Sequence, residues 1–272
     1  MTSVGKWQAV AITHPGLLRD HNEDAFLCDP DNGFLVVADG MGGHAGGALA
    51  SKKTVAAIAE FAASVWDSAS EEAIPDFLKG AMAAANDAVL AAHDDPDGGD
   101  EMGSTVVAAF LSGNRLFGAS VGDSRAYLVG EGIFHRLTQD HSMAQESGDV
   151  GNRANGGNCL YAWIGDTNLG QPCLFQSTFE ARQRLLLCTD GLTDMLSDPA
   201  IASTICTTPD LSQACQFLID EALRAGGEDN VTVLLAEFVP QTEPVLEPEK
   251  VSLFGSVKDA FRRLTGKSNG AD

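Results

Sequence analysis

The chain has 272 residues, 44% of them hydrophobic, which suits one large globular domain with a real core. Its 17 Lys and Arg stand against 38 Asp and Glu, a formal net charge of −21 that disfavours nucleic acid and anionic lipid and draws in metal cations. No stretch approaches the roughly 20 consecutive apolar residues of a spanning helix. The first residues lack the pattern of a signal peptide, and the six cysteines include no CxxC pair, so a cytoplasmic protein with reduced thiols is expected.

Residues 5–13 and 34–38 read as strands, the second preceded by the turn signal Asn32-Gly33, which predicts a hairpin or close strand pair. Ala-rich segments from Gly47 to about Trp66 and from Pro75 to about His93 carry apolar residues at helical spacing, with Pro75 suited to a first turn. The acidic, Gly-rich stretch Asp94 to Met102 reads as a solvated loop. Thr105–Ser112, Leu116–Gly122, Arg125–Val129 and Ile133–Leu137 then read as an antiparallel meander.

Residues 142–172 are poor in apolar positions and rich in Gly and Asn, the pattern of a functional flap. Strands resume at Leu174–Phe179 and Arg184–Thr189, followed by helices near 199–206 and 211–225 and a last strand, Val231–Phe238. This order argues for α+β layers. Beyond 239 the chain changes character: Pro240, Pro244 and Pro248 alternate with glutamates as a spacer, and residues 250–267 carry five basic residues against one acidic. Two units are expected, a catalytic domain over 1–239 and a tail over 240–272. The tail is a basic amphipathic helix candidate whose partner is either its own acidic domain or an outside surface.

Several chemistries are absent. Gly266-Lys267-Ser268 lacks the earlier glycine of a phosphate-binding loop, where Phe261 stands, and no HExxH occurs. His21-Asn22-Glu23 matches the first half of a zinc deaminase signature, but Gln176 follows Pro172-Cys173 where a second Cys ligand is needed.

The aspartates fall at strand ends. Asp39-Gly40 closes one apolar run, Asp190-Gly191 another, Asp123 follows the run ending at Gly122, and Asp229-Asn230 precedes Val231. Taken singly, an Asp-Gly pair is a turn device; four acids so placed, with Glu23-Asp24 in a further loop, can assemble a cluster of hard oxygen donors. Such a cluster needs cations, and oxygen ligands without His or Cys select Mg²⁺ or Mn²⁺. Two ions about 4 Å apart can activate a bridging water and clamp phosphoryl oxygens, so no protein nucleophile is required. Arg19 offers either a guanidinium fork for the phosphate or a charge partner for the acids.

Arg19-x-x-Asn-Glu-Asp24, Val37-Ala-Asp-Gly-Met-Gly-Gly43, Gly103-Ser-Thr105, Val121-Gly-Asp-Ser-Arg125, Leu137-Thr-Gln-Asp-His-Ser142, Thr189-Asp-Gly191 and Glu228-Asp-Asn-Val-Thr232 occur in that order. In this set the chain resembles the PP2C family of metal-dependent Ser/Thr protein phosphatases in its bacterial form, over residues 5 to 239. The resemblance implies a four-layer sandwich, two antiparallel sheets flanked by helices, with two ions and often a third in a cleft at one end. It implies that Asp39 bridges two metals, that Asp190 and Asp229 complete the first site, and that Glu23 with the Gly40 carbonyl completes the second. Asp123 and Asp190 are implied for the third ion, Arg19 for the substrate phosphate and Asp24 for orienting water.

Two departures from the family pattern stand out. Met41 occupies the place where many eukaryotic relatives carry a His, with His44 nearby, and Cys159-Leu-Tyr-Ala-Trp-Ile-Gly165 replaces a run that commonly carries Thr and Arg. The position of His141 favours capping or packing. The implied activity is hydrolysis of phosphoserine and phosphothreonine on proteins, opposed to a bacterial Ser/Thr kinase, without nucleic acid as a partner. The competing readings are a silent phosphatase-like module that senses metal or binds phosphoprotein, and hydrolysis of small phosphoesters.

Overall fold

The computed structural model describes residues 5–43, 45–66, 70–99, 101–130, 132–143 and 159–240. His44, residues 144–158 of the expected flap, and the tail beyond Pro240 lie outside the described residues. Twelve strands among the described residues are β1 Gly5–His14, β2 Ala25–Asp29, β3 Phe34–Ala38, β4 Gly40–Met41, β5 Gly103–Ser104, β6 Val106–Ser112, β7 Arg115–Val121, β8 Arg125–Gly130, β9 Ile133–Arg136, β10 Cys173–Thr178, β11 Arg184–Cys188 and β12 Val231–Pro240. The α-helices are α1 Ala45–Val65, α2 Ile74–Ala91, α3 Asp190–Thr193, α4 Asp198–Thr207 and α5 Leu211–Arg224.

Ten of these strands form two five-stranded antiparallel sheets, ordered β1-β12-β11-β8-β9 and β10-β7-β6-β3-β2, and β4 pairs with β5 separately. The two-residue periodicity of strands sorts side chains into three apolar layers. Leu35 and Val37 of β3 join Leu185, Leu187, Leu234 and Phe238 between the sheets. Phe34, Val36 and Ala38 turn the other way and pack with Ile58, Met82 and Ala85 under α1 and α2. On the far side, Leu186, Cys188 and Val233 meet Ile201, Leu218 and Ile219 of α4 and α5. The layer order is helix, sheet, sheet, helix. Because both faces of each sheet are covered, the central strands read as continuous apolar runs; β3 and β11 are buried at every position.

The helices begin where the sequence chemistry points. Pro75 sits in the first turn of α2, and the Asp210 side chain caps α5 by accepting from the Gln213 amide at 2.8 Å.

The expected four-strand meander is corrected. β6 and β7 form a hairpin in one sheet, whereas β8 and β9 form a hairpin in the other. The chain changes sheets at Gly122, whose φ of +97° and close packing on Thr105 exclude a side chain. That crossing delivers Asp123 to one end of the sandwich, where β3 and β11 end and β12 begins.

Candidate metal centre

A cavity of about 250 Å³ opens at this end, lined by Arg19, Glu23, Asp39, Gly40, Asp123, Asp190 and Asp229. Seven of the eight residues singled out from the sequence therefore share one cavity. The eighth, Asp24, does not line it.

Each acid arrives by a different element. Asp39 follows β3; its carbonyl accepts from the Thr105 amide at 2.8 Å and the Ser104 hydroxyl at 2.9 Å, and its amide donates to the Thr105 hydroxyl at 3.3 Å. Asp190 opens α3 directly after β11, a turn that brings Gly191 so close to the Asn230 carbonyl that a Cβ would lie 2.0 Å from it. Glu23 is fixed through its backbone. Its amide donates to Asn230 Oδ1 at 2.7 Å, and its carbonyl accepts from the Ser51 hydroxyl at 2.5 Å and from the Gly40 amide at 3.2 Å. A Cβ placed on Gly47 would stand 1.9 Å from Glu23 Oε2 and 2.9 Å from the Gly40 carbonyl oxygen. Only glycine at 47 lets the start of α1 approach these two oxygens, which are the pair the resemblance assigns to one ion.

Asn230 was not singled out, and it ties the cavity wall together. Its Nδ2 donates to the carbonyls of Pro15 and His21, both at 2.9 Å, while Oδ1 takes the Glu23 amide. Asp24 lies beneath the cavity, its Oδ2 accepting from Thr232 at 2.5 Å and Thr189 at 3.1 Å. Thr13 and Asn22 extend this chain: Thr13 and Thr232 share a hydroxyl bond of 2.8 Å, and Asn22 Nδ2 donates to Thr13 at 2.9 Å. The signal for these partners was present, since Thr189 and Thr232 belong to the motifs that carry Asp190 and Asp229.

The electrostatics follow from crowding acids with few cations. Burial raises Asp24 to about 7, against the two threonine hydroxyl bonds, which pull it down, and with the neighbouring Asp190 and Asp229, which push it further up. Burial and then Asp194 and Asp229 raise Asp190 to about 6, and burial and then Asp190 and Asp140 raise Asp123 to about 8. Asp39, buried among Asp24, Asp190 and Asp229, stands well above the usual carboxylate range. Asp39 and Asp190 are charge neighbours, so ionising both without a cation is costly. Arg19 lends a charge at the mouth, where Nη2 meets Asp229 Oδ2 at 2.7 Å.

The fit to divalent metal rests on these observations. The donors are all oxygen, Asp190 Oδ1 is buried without a hydrogen-bond partner, and the Gly47 cradle keeps Glu23 and the Gly40 carbonyl side by side. Among the described residues no three His, Cys, Asp or Glu side chains stand ready as a closed ligand set. Asp229 faces Arg19, which lends it the charge that a cation would otherwise supply. Met41 also lines the cavity. His141 packs rather than reaching it: its Nδ1 accepts from the Gly122 amide at 3.3 Å and its ring faces Tyr161 at 5.5 Å.

The profile of protein phosphatase 2C matches residues 19–226. The chain belongs to the protein phosphatase 2C family. It is 34% identical over 241 residues to the serine/threonine protein phosphatase PstP of Mycobacterium tuberculosis, covering 85% of this chain and 46% of that protein. It is 33% identical over 236 residues to the serine/threonine phosphatase stp of Listeria monocytogenes, covering 83% of this chain and 93% of the relative. The solved catalytic domain of PstP in complex with two manganese ions superposes with a TM-score of 0.75 at 33% identity, over 86% of this chain and 99% of that one. The chain thus spans about half the length of PstP and nearly all of the Listeria relative. The layered α+β fold expected from the sequence is the fold of these phosphatases.

Proposed function

We propose that the protein hydrolyses phosphoserine and phosphothreonine esters on proteins with Mn²⁺ or Mg²⁺ as cofactor. The observation that carries the reading is the convergence of Glu23, Asp39, Asp123, Asp190 and Asp229 on one all-oxygen cavity with Arg19 at its mouth. Asp39, Asp190 and Asp229 are the residues for one ion, Asp39, Glu23 and the Gly40 carbonyl for a second, and Asp123 with Asp190 for a third. When bound, such ions supply a water nucleophile at neutral pH and neutralise phosphoryl charge.

The chain's own residues do the remaining work. Arg19, its side chain 53% exposed beside Asp229, presents its remaining N–H groups to phosphate oxygens. Asp24 is held by two threonine hydroxyls outside the cavity lining and would act on a water there only through the residues between them. Met41 carries no transferable proton and supplies none to the leaving serine or threonine oxygen. No expected carboxylate is missing, which leaves a catalytically silent module without support.

The free state of all six cysteines supports a reducing compartment, and no helix among the described residues is long and apolar enough to cross a membrane. We infer a cytoplasmic enzyme acting on targets of a bacterial Ser/Thr kinase, with a phosphatase domain ending near residue 239. The test is hydrolysis of a phosphothreonine peptide and of p-nitrophenyl phosphate with Mn²⁺, Mg²⁺ or chelator, beside Asp190→Asn. Metal-dependent phosphate release that vanishes in the variant is expected; silence of the wild type with bound Mn²⁺ overturns the reading.

A further inference from the structure

Large apolar side chains are exposed at nine positions among the described residues, and three of them, Leu17, Leu18 and Tyr161, belong to the two segments that reach the cavity through Arg19 and Leu160. Scattered singly, such residues need no explanation; placed next to residues that line one opening, they mark a contact surface. One segment carries Arg19 into the cavity, and Leu18 immediately before it is 71% exposed. The other carries Leu160 into the cavity, followed by Tyr161 at 46% exposure.

Neither side chain sits on a loose tip. The Leu17 amide donates to the Gly227 carbonyl at 2.7 Å, and Leu17 packs on Gly227. Gly16, at φ +82°, lies so close to the Asp229 carbonyl that a Cβ would stand 2.3 Å from it. The backbone of the loop therefore holds Leu18 outward. On the second segment, Leu160 bridges Ser142, and Tyr161 is held by its amide, which donates to the His141 carbonyl at 3.0 Å, and by the His141 ring. Surfaces fixed in advance lose little freedom on binding.

We propose that Leu18 and Tyr161 form an apolar rim that receives apolar side chains flanking the phosphorylated residue of the substrate protein. The proposal rests on the phosphatase reading and adds its sequence preference. The occupant follows from continuity with the cavity. Neighbouring residues of an extended peptide lie about 3.5 Å apart per position, so a phosphate at Arg19 places its flanking side chains over the segment that holds Leu18. Acidic flanks are disfavoured by the net charge of −21.

The experiment uses two phosphothreonine peptides that differ only in flanking leucines against flanking serines, with p-nitrophenyl phosphate as a substrate that has no flanks. With Mn²⁺ the wild type is expected to favour the leucine peptide about tenfold in kcat/KM, carried by KM. The Leu18→Ser/Tyr161→Ser double variant is expected to abolish that preference and keep its turnover of p-nitrophenyl phosphate, while Leu18→Met and Tyr161→Phe retain the preference. Equal handling of the two peptides by the wild type, or a preference that survives in the double variant, overturns the proposal. Absence of p-nitrophenyl phosphate hydrolysis in the wild type marks failure of the phosphatase reading instead. In that event binding of phosphonate analogues of the two peptides, followed by fluorescence anisotropy, decides the rim separately: tighter binding of the leucine form supports it and equal binding overturns it.

Discussion

Asp140 and Asp190 are both acids beyond strand ends in the same domain, and their surroundings are opposite. Asp140 accepts from Arg125 through Nη2 at 2.8 Å on Oδ2 and through Nε at 3.2 Å on both oxygens, and Arg136 also donates to Oδ1. Asp190 has Asp39, Asp194 and Asp229 as its charge neighbours, and its Oδ1 is buried with no partner. The first is a closed structural clamp that joins β8 to the segment after β9. The second is an open charge that the fold holds in place at a cost, and that cost makes sense only where a cation offsets it. Asp24 falls between them, closed by hydroxyls instead of arginines.

The largest expected effect comes from breaking the open side. Asp190→Asn should lower kcat at saturating Mn²⁺ by more than about 100-fold, since loss of a ligand exceeds the 10- to 100-fold cost of losing an outer-shell partner. The metal-free variant should melt at or above the wild-type temperature, because one repelling charge is gone. Near-normal turnover at saturating Mn²⁺ would sink the metal assignment.

Breaking the closed side should do the reverse. Asp140→Ala leaves two arginine side chains, only 21% and 25% exposed, without their acid. A stability loss of about 3 kcal/mol in chemical denaturation is expected, larger than for Asp140→Asn, which keeps an acceptor for one arginine. A change under about 0.5 kcal/mol makes the clamp no stronger than a surface pair.

The pH response sharpens the contrast. Asp190 at about 6 and Asp123 at about 8 hold protons that their unfolded counterparts, near 3.8, have already released. The folded metal-free protein therefore binds more protons than the unfolded chain, and its stability should fall as pH rises from about 4 through about 8. Mn²⁺ has to displace those protons, so its affinity should climb about tenfold per pH unit for each proton displaced. Calorimetry at pH 6, 7 and 8 checks the slope, and a flat response removes these carboxyls from the metal site.

The elements were legible as apolar runs and turn signals, but the layer order was not: β3 is apolar at every position, and only the fold sorts Leu35 and Val37 from Phe34, Val36 and Ala38. The partition of strands between sheets was equally hidden: a hairpin and a sheet crossing look alike as short apolar runs, and only the pairing of β8 with β11 separates them. Acids at strand ends led to the cavity, since strand ends of a sandwich gather in space. What spacing could not show is which oxygens are already taken. Asp24 is closed by Thr189 and Thr232, 165 and 208 residues away, and Arg19 meets Asp229 across 210 residues.

That last pair carries the smallest expected effect and separates the two readings of Arg19. Its side chains are 53% and 36% exposed, so solvent screens it to roughly 0.2–1 kcal/mol. Arg19→Ala removes a cation that competes for Asp229, and Mn²⁺ affinity should tighten up to about fivefold by calorimetry. The same variant should raise KM for a phosphothreonine peptide more than it lowers kcat where Arg19 chiefly binds phosphate. Tighter metal with an unchanged KM assigns Arg19 to the acids alone. Both changes together mean that the arginine serves Asp229 before the metal arrives and the phosphate afterwards, so that the loading of the open side frees the group that receives the substrate.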